Sequence, residues 1–239
     1  MSEYLIQSET LKEIGDAIRE KKGITNSIPV PSLASEIRSI ETSNGESNNK
    51  LVLLVSDHNY SYSITSKELE GATSISADAF YQRSGLSSIG IPDGVTRIGA
   101  MAFYLCKDLT SVIFGENSQL TDIGERAFDY CYNLTNIVLP NSVKTIGSGA
   151  FSGCYRLTKM AIPSGVTQIN KETFKSCGDM TSIVIPDSVI AIDYQAFDGC
   201  YGLTDVYYTG TEEQWNTISI GSSNERLTNA TIHYNYVPE

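Results

Sequence analysis

Histidine is almost missing from this sequence: His58 and His233 are the only two, and neither has a nucleophile motif beside it. That leaves acyl transfer by a Ser-His-Asp or Cys-His arrangement without its base. Basic residues are scarce as well. Seventeen Lys and Arg stand against 28 Asp and Glu, for a formal charge of −11 and an isoelectric point near 4.7. The basic face with which proteins track phosphates is therefore lacking, and nucleic acid is excluded as a partner. No apolar run approaches the roughly 18 residues of a membrane-spanning helix, so membrane insertion is excluded. The opening MSEYLIQSETLKEIGDAIREKKG lacks the basic, apolar and small-residue regions of a secretory signal. The expectation is a soluble chain that acts extracellularly or on a virion, reached by lysis, another secretion route or loss of a leading segment, and that is otherwise cytoplasmic. The five cysteines include no CxxC and no Cys/His cluster, so no metal site is expected. Acidic residues are many, yet none pair in a metal-loop or glycosidase-like pattern. No catalytic residue and no cofactor is expected.

What the sequence does contain is a repeat. From Leu86 it reads LSSIGIPDGVTRIGAMAFYLCKD, LTSVIFGENSQLTDIGERAFDYCYN, LTNIVLPNSVKTIGSGAFSGCYR, LTKMAIPSGVTQINKETFKSCGD and MTSIVIPDSVIAIDYQAFDGCYG, a period of 23 with 25 in the second unit. A fixed period in this range marks a solenoid and takes precedence over local readings. Degenerate copies from Ile75 and Leu203 bracket the regular units, as capping repeats do.

The spacing within a unit has a physical reading. Leu134, Ile137 and Leu139 recur as on a short strand with one face in a core. Pro92, Pro140, Pro163 and Pro186 mark one corner, because proline has no amide hydrogen to continue a ladder. Val143 and Ile146 begin a second inward segment. Gly99, Gly124, Gly147, Asn170 and Asp193 follow it, the residue types that best tolerate positive φ, and predict a left-handed turn in every coil. Ala150, Phe151 and Cys154 have the spacing of a helical or 3₁₀ turn. Coils stacked about 4.8 Å apart would align Phe80, Phe103, Phe128, Phe151, Phe174 and Phe197 into one spine. The cysteines, in phase at 106, 131, 154, 177 and 200, read as buried free thiols.

These units resemble the BspA-like leucine-rich repeats, whose signature L-T-S-I-x-I-P-x-S-V-x-x-I-G-x-x-A-F-x-x-C is matched with Pro, Gly, Ala-Phe and Cys all in phase. Gly115 departs from it at the corner proline, and Arg83 stands where Cys is expected. The tail YYTGTEEQWNTISIGSSNERLTNATIHYN resembles the ending typical of such proteins. The resemblance implies a curved solenoid whose usual role is adhesion to host proteins, other cells or surfaces. The fold class expected is an α/β leucine-rich-repeat solenoid, right-handed and mostly β with short helical or 3₁₀ turns, preceded by a small N-terminal helical hairpin.

That front module occupies residues 1–42. Thr10 and Glu13 make a capping box, Leu11, Ile14 and Ile18 share a helical face, and Gly23 can stop the helix. Ser32 can cap a second helix bearing Leu33, Ile37 and Ile40. The phrase LKEIGDAIREKKGITNSIPVPSLASEIRSI resembles a module at the front of phage and prophage tail or baseplate-associated proteins. A polar linker over 43–50 leads to the solenoid of 51–239, with an N-terminal cap at 51–85, repeats at 86–202 and a C-terminal cap at 203–239.

Two surfaces are candidates for binding. Tyr132, Tyr155 and Tyr201 share a repeat position just outside the core cysteine and offer aromatic contact area, or else pack between turns. Ile113, Val138, Ala161, Val184 and Tyr207 point outward in register from the strands as an apolar stripe. Trp215, after a capping box of Thr211 and Gln214, reads as a cover for the last coil. The functional expectation is a non-enzymatic adhesion module for a protein or glycan on a host or cell surface, with self-association allowed for. The alternatives are a structural spacer in a phage tail or baseplate and, more remotely, a carbohydrate-active enzyme on a solenoid scaffold.

Overall fold

The computed structural model describes residues 62–238, within the unit that runs from His58 to Glu239. The front helices, the linker, the start of the N-terminal cap and His58 lie outside the described residues.

Each coil contributes one strand to each of two parallel ladders. The first coils carry β1 (Tyr62–Ile64) with β2 (Ser74–Ile75), β3 (Leu86–Ile91) with β4 (Arg97–Ile98), and β5 (Ser111–Phe114) with β6 (Asp122–Ile123). Then come β7 (Asn136–Ile137) with β8 (Thr145–Ile146), β9 (Lys159–Ala161) with β10 (Gln168–Ile169), and β11 (Ser182–Ile185) with β12 (Ala191–Ile192). The last full coil holds β13 (Asp205–Tyr208), the short helix α1 (Glu212–Trp215) and β14 (Ser219–Ile220). Helix α2 (Glu225–Thr228) and β15 (Thr231–His233) close the array. The longer strands form one face, here the strand face, in two four-stranded sheets ordered β1-β3-β5-β7 and β9-β11-β13-β15. The two-residue strands form β2-β4-β6-β8 and β10-β12-β14.

The inward positions of successive coils make continuous apolar columns. Val95, Leu120, Val143, Val166 and Val189 form one, with Leu120 taking the valine position after the 25-residue unit's longer loop. The six phenylalanines form another. Their rings stack at centroid separations of 4.9, 5.0, 5.4, 5.8 and 5.4 Å along the array. Parallel stacking holds them in one rotamer each and adds to the burial that drives the coils together.

The turn face, where the Ala-Phe pairs lie, corrects the expected position of the left-handed residues. Gly99, Gly124 and Gly147 do not have positive φ. It falls two and six residues later instead, at Met101, Arg126, Gly149, Glu172 and Gln195, and at Leu105, Tyr130, Gly153, Ser176 and Gly199. Glycine is required at 124 and 147 by close approach, since a Cβ would lie 2.6 Å from the amide nitrogen of Ala100 and 2.5 Å from that of Glu125. The i→i+3 bonds Ala150 N–H to Gly147 C=O (3.1 Å) and Cys154 N–H to Phe151 C=O (3.2 Å) make single turns. Left-handed residues between them stop these turns from joining into a helix. The freed amides point forward: those of Arg126, Phe128 and Tyr130 donate to the carbonyls of Ser148, Ala150 and Ser152 at 2.8–2.9 Å.

The C-terminal cap ends this pattern with side chains. Buried Asn224 accepts from Phe197 N–H (3.0 Å) and donates to the carbonyls of Asp193 and Gly221 (2.8 Å each), so its amide supplies what another coil would have supplied. The capping box of Thr211 and Gln214 forms as expected, and buried Trp215 meets Tyr208 edge-on at 5.1 Å.

Removing one ring from the middle of the spine should uncouple its two sides. Phe151→Ala is expected to cost about 3–5 kcal/mol in denaturant unfolding, with Trp215 fluorescence and far-ultraviolet dichroism losing their common midpoint. Coincident transitions with a loss below about 1 kcal/mol would contradict this account.

Candidate functional site

On the strand face, parallel pairing fixes which outward side chains are neighbours. Gly90 pairs with Ile113, Val184 pairs with Ala161 and Tyr207, and Tyr207 pairs with His233. Val138 holds the same place in its coil one period before Ala161. Pairing thus puts Ala161, Val184 and Tyr207 side by side, while Ile113 and Val138 share their repeat position by phase alone, and the members differ in accessibility. Ile113 and Val138 are 61% and 74% exposed, whereas Val184 and Tyr207 are half-buried.

The two extra residues of the 25-residue unit lengthen the Gly115–Leu120 loop, and the pairing of that unit with the next ends at Val112 and Ile137, just before Ile113 and Val138. Beside them lies a groove of about 710 Å³ in which Ile113, Phe114, Val138 and Pro140 stand among polar residues of the two coils such as Asn117, Gln119, Asn136 and Asn141, with Glu116 as its one charged lining residue. Large aliphatic side chains this open on a paired sheet are the usual mark of a contact surface.

At the other end the stripe is occupied by the protein itself. The Tyr207 ring stacks on His233 at 4.7 Å, and Tyr236 tilts against it at 4.8 Å. Backbone bonds from Asn235 to Gly210 (2.8 Å) and from Tyr236 to Tyr208 (3.0 Å) hold the tail there. His233 Nε2 lies 2.7 Å from Asp205 Oδ1, and that contact, with the Thr204 hydroxyl on Oδ2, holds the Asp205 carboxyl below its ordinary value. This histidine and carboxylate are 28 residues apart, and no motif in the sequence links them.

The three tyrosines singled out on the turn face do not form one platform. Gly178 interrupts their column between Tyr155 and Tyr201. Tyr155 lies over that glycine, where a Cβ would come within 2.6 Å of its ring, and Tyr201 sits 4.6 Å from the Arg226 guanidinium in a cation–π contact. Tyr132 instead ends a chain of rings: Tyr81 to Tyr104 at 5.0 Å, Tyr104 to Tyr130 at 5.8 Å and Tyr130 to Tyr132 at 5.7 Å. The in-phase Phe-Tyr pairs at 80–81 and 103–104 were the signal for this chain.

Asp129 continues the Tyr81–Tyr104 column into the next coil and is buried, with Oδ1 unpartnered among the described residues. Burial raises its carboxyl to about 6, against the opposing pull of a Ser152 hydrogen bond and of Arg126, whose Nε is 3.8 Å away. The same cause pushes up the thiols of Cys106 (to about 12), Cys131, Cys154 and Cys177. All five cysteines are free and buried, and each Sγ donates to the phenylalanine carbonyl of the preceding coil at 3.0–3.2 Å. Thiols of this kind pack and bond; they do not react. Among the described residues, no three His, Cys, Asp or Glu side chains converge as metal ligands, and no helix is long and apolar enough to cross a membrane.

A model of the BspA type leucine rich repeat region matches residues 73–204 in six copies. Among solved structures, a leucine-rich cell surface protein of Faecalibacterium prausnitzii is similar at 34% identity and a TM-score of 0.60, over 69% of this chain and 43% of that one. The chain thus spans less than half of that relative's length. A leucine-rich-repeat protein of T. pallidum is similar at 27% identity and a TM-score of 0.56, over 63% of this chain and 67% of that one. No curated protein matches the chain.

Two measurements test the electrostatics. In the native state none of the five thiols should react with a thiol-exchange reagent over the time in which all five react after unfolding. Asp129 binds its proton more tightly folded than unfolded, so it contributes stability below about pH 4 that is lost as pH rises through about 6. Asp129→Asn should therefore match the wild type near pH 4 and exceed it by about 2–3 kcal/mol at pH 8; an equal difference at both pH values would refute the assignment.

Proposed function

Because the chain belongs to the BspA-type leucine-rich-repeat family, we propose that it is a non-enzymatic protein-binding module that adheres to a partner at a host or cell surface through its strand face. Repeats of this family typically bind and do not catalyse, and the Faecalibacterium protein is described as a cell surface protein. The observation that carries the reading is the pair Ile113 and Val138, standing open in a groove whose lining has one charge. A partner side chain seated there would bury aliphatic area on Ile113 and Val138, and the amides and hydroxyls around them would fix its orientation by hydrogen bonds. The covered Tyr207 end offers less, because the tail already uses it.

The test is binding of the folded protein to host cells, mucins and matrix proteins, followed by Ile113→Asp with Val138→Asp on any hit. Both positions are outward, so the variant keeps the core, and affinity should fall by about 30-fold or more, as expected for a central contact. Retained binding by that variant, with loss in Tyr132→Ala, Tyr155→Ala and Tyr201→Ala instead, would move the site to the turn face. Failure with every surface offered would count against adhesion itself.

A further inference from the structure

We propose that the solenoid is two stiff plates joined by a hinge at Asn170, closed along the turn face and able to open on both β faces. Elsewhere among the described residues, successive coils are bonded on three sides. Both ladders run from β1 to β7 and from β2 to β8, and again from β9 to β15 and from β10 to β14. Between the coil of 134–156 and that of 157–179, both stop at the same step. The turn face does not: Gly149, Phe151 and Gly153 still donate to Lys171, Thr173 and Lys175 at 2.9, 2.9 and 2.7 Å. The Phe151–Phe174 separation at this step, 5.8 Å, is the widest of the spine.

Asn170 supplies the cause on the second face. In the other coils the residue in its place donates its backbone N–H to the isoleucine of the coil before: Gly99 to Ile75, Gly124 to Ile98, Gly147 to Ile123, Asp193 to Ile169 and Gly221 to Ile192, all at 2.7–2.8 Å. At 170 the side chain does this instead, with Nδ2 donating to Ile146 C=O at 2.6 Å. An amide two bonds further from the backbone now occupies the acceptor, so the main chain stands off and the ladder bond that residue 167 would give to Lys144 has no counterpart. A rotatable side-chain bond replaces a fixed backbone one. At the start of the strand face Thr158 reaches Thr135 C=O through its N–H (3.3 Å) and its hydroxyl (3.4 Å), both long bonds, and the ladder goes no further.

The turn-face bonds, with Asp179 N–H to Tyr155 C=O (2.9 Å) at their edge, hold this step closed on one side, and opening about them changes how far Val138 stands from Ala161 and hence the curvature offered to any partner. This inference does not rest on the strand-face reading and would hold if the ligand bound elsewhere.

Backbone hydrogen exchange tests it. Amides of 137–139, 159–161 and 167–169 should exchange about tenfold or more faster than their equivalents at 182–185 and 190–192, while Gly149, Phe151 and Gly153 stay protected. Asn170→Gly, a residue this column already holds at 99, 124 and 147, should slow the 167–169 amides to the reference rate. Asn170→Ala, which keeps a Cβ and loses the donor, should leave them fast. Equal protection at the seam and at the reference strands in the unaltered protein would overturn the hinge, as would loss of protection on the turn face together with the two β faces.

Discussion

A coil of 23 residues has no interior of its own, so every apolar side chain in it depends on the coil above and the coil below. The contact that makes this work is the turn-face stack. Left-handed residues aim three amides per coil at the carbonyls of the next, and this sets the Phe rings directly over one another. It continues unbroken through the step at which both ladders stop. The ladders on the other two faces add to it, and the cysteine thiols bond backward to the carbonyls of the rings.

This arrangement separates two kinds of position. Inward columns are confined to a few side-chain volumes, since interiors are packed to crystal density. Outward positions on the strands carry no such demand, and the same register that aligns the core sets Ala161, Val184 and Tyr207 in a row, with Ile113 and Val138 at the same repeat position in earlier coils. What such a row can contact then depends on local irregularity. The groove at Ile113 and Val138 lies where one unit carries two extra residues, while the tail closes the stripe at Tyr207. A strictly regular array would present neither.

Charged and polar groups follow the same logic. Asp129 stands in a column that its neighbours fill with tyrosine and serine, and its burial there raises its carboxyl. Thr173 replaces the alanine of its unit and is buried without cost because its hydroxyl donates to Asn170 C=O at 2.7 Å. One buried substitution is satisfied within its own turn, whereas the other is a carboxyl with an unpartnered oxygen, which folding therefore favours in its protonated form.

The sequence by itself determined the solenoid, its phase, the phenylalanine spine and the buried free thiols, all of which follow from a period, because stacking turns a period into a column; it also showed the capping box before Trp215 as a local motif, since its partners are three residues apart. It misplaced the left-handed turns, because glycine at 99, 124 and 147 reports the nearness of the preceding coil, and only assembled coils have a preceding coil. For the same reason it could not say that Tyr155 rests on Gly178, that His233 meets Asp205, or that the Asn170 side chain takes a backbone bond. Those facts belong to distances between coils, and tertiary packing alone decides them.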